Sequence, residues 1–97
     1  MRIDKWKKFG RMLVQGSGNV IWNVKKVEET EESIIIAYSK NTYLDGRIKF
    51  DKQNENFQLF AVANDCDEFE SKRLFQFLYA LIIQNTLSFQ VYSIRIG

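Results

Sequence analysis

The stretch 74–83, LFQFLYALII, constrains this chain most, because it has helical spacing yet carries more apolar surface than one helix face can hide. Leu74, Leu78, Leu81 and Ile82 form one stripe. Phe77, Ala80 and Ile83, with Phe75 and Tyr79 between them, carry the apolar surface round most of the circumference, and Gln76 is the only polar interruption. Such a helix has to be covered on two sides, by its own domain or by a second chain. Phe75, Phe77, Tyr79 and Ile83 are therefore the candidate partner-interface residues, with a homodimer or another protein as the expected partner.

The residues before this stretch explain where the helix begins. In Asn64-Asp65-Cys66-Asp67-Glu68-Phe69-Glu70, Asp67 and Glu70 have capping-box spacing, and negative charge is favoured at a helix N-terminus. The helix is expected over about 67–85, ending where Gln84-Asn85-Thr86 breaks the pattern. The same acidic group has the oxygen chemistry of a hard-cation site, but it lacks the ligand spacing and turn glycine of a calcium loop. Capping accounts for it, and neither a metal nor a cofactor is expected.

Upstream, the pattern changes from helical to alternating. Val20 to Val27 reads as a strand with Val20, Trp22 and Val24 on its better-buried face, and Glu28 to Glu32 as an acidic turn. Ser33 to Tyr38 follows as a β-branched strand whose three isoleucines imply cover on both faces. Asp45-Gly46 is the strongest local hairpin signal, since a two-residue type I′ turn needs positive φ at both central positions. Arg47 to Asp51 alternates with Ile48 and Phe50 inward, and Phe57 to Ala63 sets Phe57, Leu59 and Ala61 against Gln58, Phe60 and Val62. After the helix, about 89–96 resumes alternation and forms a final strand, either in the same sheet or in a partner's.

At the N-terminus, Ile3, Trp6, Gly10 and Leu13 have helical spacing, which predicts a short helix or arm. A competing hairpin would join residues 11–15 to the first strand through Gly16-Ser17-Gly18-Asn19. That glycine pair lacks the Lys-Ser/Thr and parallel strand–helix context of a phosphate loop. The fold class expected is thus α+β: one domain over 1–97, an antiparallel meander of about five strands packed on one long helix.

Missing residue types narrow the function further. The chain has no histidine and one cysteine, which removes Ser-His-Asp and Cys-His catalysis, His- or Cys-rich zinc sites and CxxC redox chemistry. Cys66 lies among carboxylates that oppose thiolate formation, so a structural role is expected for it. A single cysteine also favours a reducing compartment, the cytoplasm. The basic N-terminus is not followed by the apolar region of a secretory signal, and the longest apolar run, 77–83, is far short of the roughly 18 residues of a membrane span. The leading expectation is a non-enzymatic binding or protein-interaction module. Its rival is a nucleic-acid-binding domain that uses Lys5, Trp6, Lys7, Lys8 and Arg11, where cations alternate with rings, together with the strand residues Lys25, Arg47 and Lys49. A formal net charge of only +2 limits how extensive such a positive surface is.

Overall fold

The computed structural model describes residues 19–96, with side chains described from Ile21 to Arg95. The expected N-terminal helix or arm, and the competing hairpin strand, lie outside the described residues. Four strands follow in sequence, β1 (Asn19–Glu29), β2 (Ser33–Ser39), β3 (Gly46–Asp51) and β4 (Asn56–Ala61). The helix α1 (Glu68–Ile83) and a last strand, β5 (Tyr92–Ile96), complete the α+β fold. The sheet order is β4-β3-β2-β1-β5, and every neighbouring pair is antiparallel. The final strand returns to the chain's own sheet. To do so, α1 must carry the chain from the β4 edge back across one face to the β1 edge, and that crossing defines the core.

Alternation puts Trp22, Val24, Ile34, Ile36, Tyr38, Ile48, Phe50 and Ile94 on the helix side of the sheet, where they are buried with Leu74, Phe77, Leu78 and Leu81 of α1. Burying each large apolar side chain stabilises the fold by about 1.5–3 kcal/mol. The helix begins as the capping box predicts. The Glu70 N–H donates to Asp67 Oδ1 at 2.7 Å and the Asp67 N–H to Glu70 Oε1 at 3.3 Å. It ends in a Schellman motif: Asn85 has φ 56°, its N–H donates to the Ile82 carbonyl at 3.1 Å, and the Thr86 N–H donates to the Leu81 carbonyl at 2.9 Å.

One correction concerns the outer side of that helix. Continued back to Glu68, it does have an outward stripe: Phe69, Lys72, Arg73 and Ile83 are exposed and Gln76 is half-buried. The decapeptide 74–83 is too short to show this, because most of the polar residues on that side precede it. No helix among the described residues is long and apolar enough to cross a membrane.

Strand limits differ from expectation in three places. β1 continues through Glu28 and Glu29, with a register shift between Lys26 and Glu28, because Glu29 is held by Lys26 and Lys52, each at 2.7 Å. The turn shrinks to residues 30–32, closed by Thr30 Oγ1 accepting the N–H groups of Glu32 and Ser33. β4 stops at Ala61 and β5 starts at Tyr92, leaving Val62, Phe89 and Val91 exposed beyond the ladder.

A further difference is the Asp45-Gly46 turn, which is not a two-residue hairpin. Gly46 is the first residue of β3, paired with Tyr38, and the connection is the loop 40–45. Positive φ falls on Leu44, at 53°. Its N–H donates to Ser39 Oγ at 2.9 Å. Gly46 is required for another reason: a Cβ there would lie 2.2 Å from the Tyr38 ring. That ring passes under β3 so that its hydroxyl reaches Ser71 of α1, and the Ala63 N–H donates to the same hydroxyl at 3.2 Å. Ser71 Oγ in turn donates to the Asp67 carbonyl at 2.8 Å. The first turn of the helix is thereby fixed to the middle of the sheet.

Tyr38→Phe should therefore cost about 1–3 kcal/mol in urea unfolding, because it strands the buried Ala63 N–H. Gly46→Ala should destabilise at least as much by displacing the ring. A Gly46→Ala protein as stable as the unmodified chain would refute this packing.

Candidate binding face of the sheet

Because α1 covers one face of the sheet, the residues that alternate with the core are turned to the other. On that face the register places Lys25 of β1, Ala37 of β2 and Arg47 of β3 in one row. Glu28, Ile35, Lys49 and Gln58 form the next row, about 7 Å along the strands. Lys25 thus shares one surface with Arg47 and Lys49, more distant in sequence, and lies roughly 10 Å from Arg47 across the strand that separates them. Ala37 between them is 1% exposed and Ile35 half-buried, so the row has an apolar floor.

Two further residues complete the surface. Phe60, at the register shift between β3 and β4, is 60% exposed, and Lys49 Nζ stands 5.9 Å from its ring centroid, within cation–π range. Arg95 follows Ile94 in β5 and so falls on the same face. At one end, Asn23 Oδ1 accepts from Ser93 Oγ at 2.6 Å, and Asn23 Nδ2 donates to the carbonyls of Lys40 and Asn41 at 3.3 and 2.9 Å. The loop 40–45 is thereby fastened to the rim. Arg47 Nη1 donates to the carbonyls of Leu44 and Gly46 at 2.6 and 2.9 Å, which orients the guanidinium toward that loop.

Ion pairing leaves this face positive. The pairs among the described residues involve Lys26, Lys40, Lys52 and Lys72, and none includes Lys25, Arg47 or Lys49. Asp51 and Glu28 are the nearby acids on the strands. A polar depression of about 120 Å³ lined by Glu32, Ser33, Lys49, Asp51 and Gln53 opens at one end of the face. It falls well below the roughly 300–1,000 Å³ of a small-molecule pocket.

The other candidate residues are distributed differently. Phe77 and Tyr79, expected on an outward side of the helix, are 4% and 2% exposed and turn inward: Phe77 meets Trp22 at 5.8 Å between centroids and Tyr79 meets Phe50 at 6.0 Å. Phe75 is half-buried and stacks on Phe57 at 5.0 Å, while Ile83 is exposed at the end of α1. The four therefore make no common surface. Lys5, Trp6, Lys7, Lys8 and Arg11 lie outside the described residues. Phe60 and Arg95 had not been singled out, although strict alternation from Leu59 and Ile94 marks both as facing away from the core.

The acidic group before α1 is occupied in structural contacts. Asp67 and Glu70 cap the helix, Glu70 also pairs with Lys40, and Glu68 pairs with Lys72 at 3.1 Å. Burial works against ionisation of Asp65, but the N–H groups of Lys40 and Asn41 on its carboxylate outweigh that and hold its pKa below the usual range. No group of three or more metal-ligating side chains is assembled among the described residues. Burial, followed by the neighbouring Asp65, pushes the Cys66 thiol up to about 11. Burial, followed by the hydrogen bond to Glu55 at 2.8 Å, pushes Tyr79 up to about 12.

No family model, curated protein or solved structure matches this chain.

The Tyr79 shift has a consequence for alkaline stability. A tyrosine whose folded pKa is raised stabilises the fold fully below its unfolded value of about 10, and that stabilisation is lost as pH rises through the folded value. Unfolding free energy should fall between pH about 10 and about 12, in part through Tyr79. The fall should be shallower in Tyr79→Phe; identical pH profiles for the two proteins would contradict the assignment.

Proposed function

We propose that this chain is a non-enzymatic binding module whose working surface is the face of the sheet opposite α1, and that its ligand is single-stranded nucleic acid. The observation that carries the proposal is the convergence of Lys25, Arg47 and Lys49 on one face, beside the exposed ring of Phe60. Cations that neutralise phosphates next to a ring that stacks on a base are the two components of sequence-tolerant single-strand binding.

Catalysis fits the residues less well. The chain has no histidine, its one thiol is held largely protonated at neutral pH, and the carboxylates near α1 serve the cap and the loop. Little remains among the described residues to transfer a proton near neutrality.

Fluorescence anisotropy with a labelled oligothymidylate at two salt concentrations tests the proposal. Binding should weaken as salt rises, and Lys25→Gln or Lys49→Gln should each lower the log–log salt slope by about 0.7. Phe60→Ala should weaken binding by about 1–3 kcal/mol with the salt slope unchanged. Absence of salt-sensitive binding, or variants that bind as the unmodified chain does, would reject it.

A further inference from the structure

We propose that β4 is a self-pairing edge, through which two copies of this chain join into one continuous sheet of antiparallel strands. Among the described residues β4 is the outermost strand on its side, and its outward backbone N–H and C=O groups face away from β3. Natural sheets protect such edges with charge, proline or cover. The strand itself has neither of the first two: no residue from Asn56 to Asn64 is charged, and the chain contains no proline. Phe60 near its end and Val62 just beyond it are 60% and 43% exposed. The opposite edge, β5, is a five-residue strand bearing Arg95.

The occupant follows from geometry. On the helix side of the same edge, Leu59 and Phe75 are only half-buried at the margin of the core. An added peptide strand would satisfy the backbone of β4 but bring no layer to cover those side chains. A second copy would bring both. In an antiparallel pairing of identical strands the two-fold axis must run perpendicular to the sheet, so each residue lies opposite one of the same facing. The pairing is then centred on a residue, Gln58 or Leu59, within the regular part of β4 before the register shift. Both helices fall on one side, with Leu59 and Phe75 of each copy meeting those of the other. Both Phe60 rings and both Lys49 side chains fall on the opposite side. The dimer does not depend on the nucleic-acid proposal, and it is tested without any ligand.

Sedimentation of the full chain from micromolar to submillimolar concentration reads the association. Gln58→Glu is the informative variant, because its carboxylate would face Lys49 within the monomer but lie near its own copy across the axis. Gln58→Glu and Val62→Lys should each raise the dimer dissociation constant by about tenfold or more, with thermal melting unchanged at low concentration. Exchange protection of the β4 amides should rise with protein concentration. A chain that stays monomeric throughout overturns the proposal. So does a dimer unaffected by either variant but broken by Phe89→Ser, which would place the interface at the other edge.

Discussion

The buried hydroxyl of Tyr38 is the contact on which the arrangement of layers depends. It sits in the middle of the sheet, at 0% exposure, and joins Ser71 in the first turn of α1 to the Ala63 backbone just after β4. Burial raises the pKa of this phenol, with its hydrogen bonds to Ser71 and from the Ala63 N–H working the other way. Its position requires Gly46, and its partner Ser71 is bound in turn to Asp67, the residue that caps the helix. A buried polar cluster of this kind is stabilising only when every member is satisfied, so it selects one placement of the helix on the sheet. With α1 so placed, one face of the sheet becomes core and the other is turned away from the helix.

Much of this was legible in the sequence. Period-two alternation located all five strands to within a few residues, and Asp67 with Glu70 marked the helix start. Local pattern could not show what depends on long-range geometry. Asp45-Gly46 has the composition of a tight hairpin, yet the glycine is needed for the approach of the Tyr38 ring, eight residues earlier in the chain. Glu28 and Glu29 look like turn residues until Lys52, brought close by β3, extends the ladder through them. The apolar girth of 74–83 was real, but its cause was a wide sheet whose aromatic residues, Trp22, Phe50 and Phe57, reach round the helix.

The candidate site was legible in a similar, partial way. Alternation alone turns Lys25, Arg47 and Lys49 away from the core, but only the register shows that Lys25 comes level with Arg47, with Ala37 between them. Phe60 carries the stronger lesson: an exposed aromatic in an alternating strand is readable as outward from its neighbours, and its importance emerges from the lysine placed over it. Charge alone was a weak guide here, since a net +2 spread over the whole surface would direct nothing. What matters is that ion pairs engage Lys26, Lys40, Lys52 and Lys72 elsewhere.

The proposed division of the sheet into a packed face and a binding face is most directly tested by mapping backbone amide shifts while an oligothymidylate is added to labelled protein. The largest changes should fall on Lys25, Ala37, Arg47, Lys49 and Phe60, with the outer helix residues Lys72 and Arg73 little affected. Changes concentrated on α1 instead, or no changes at any ratio of oligonucleotide to protein, would contradict that division.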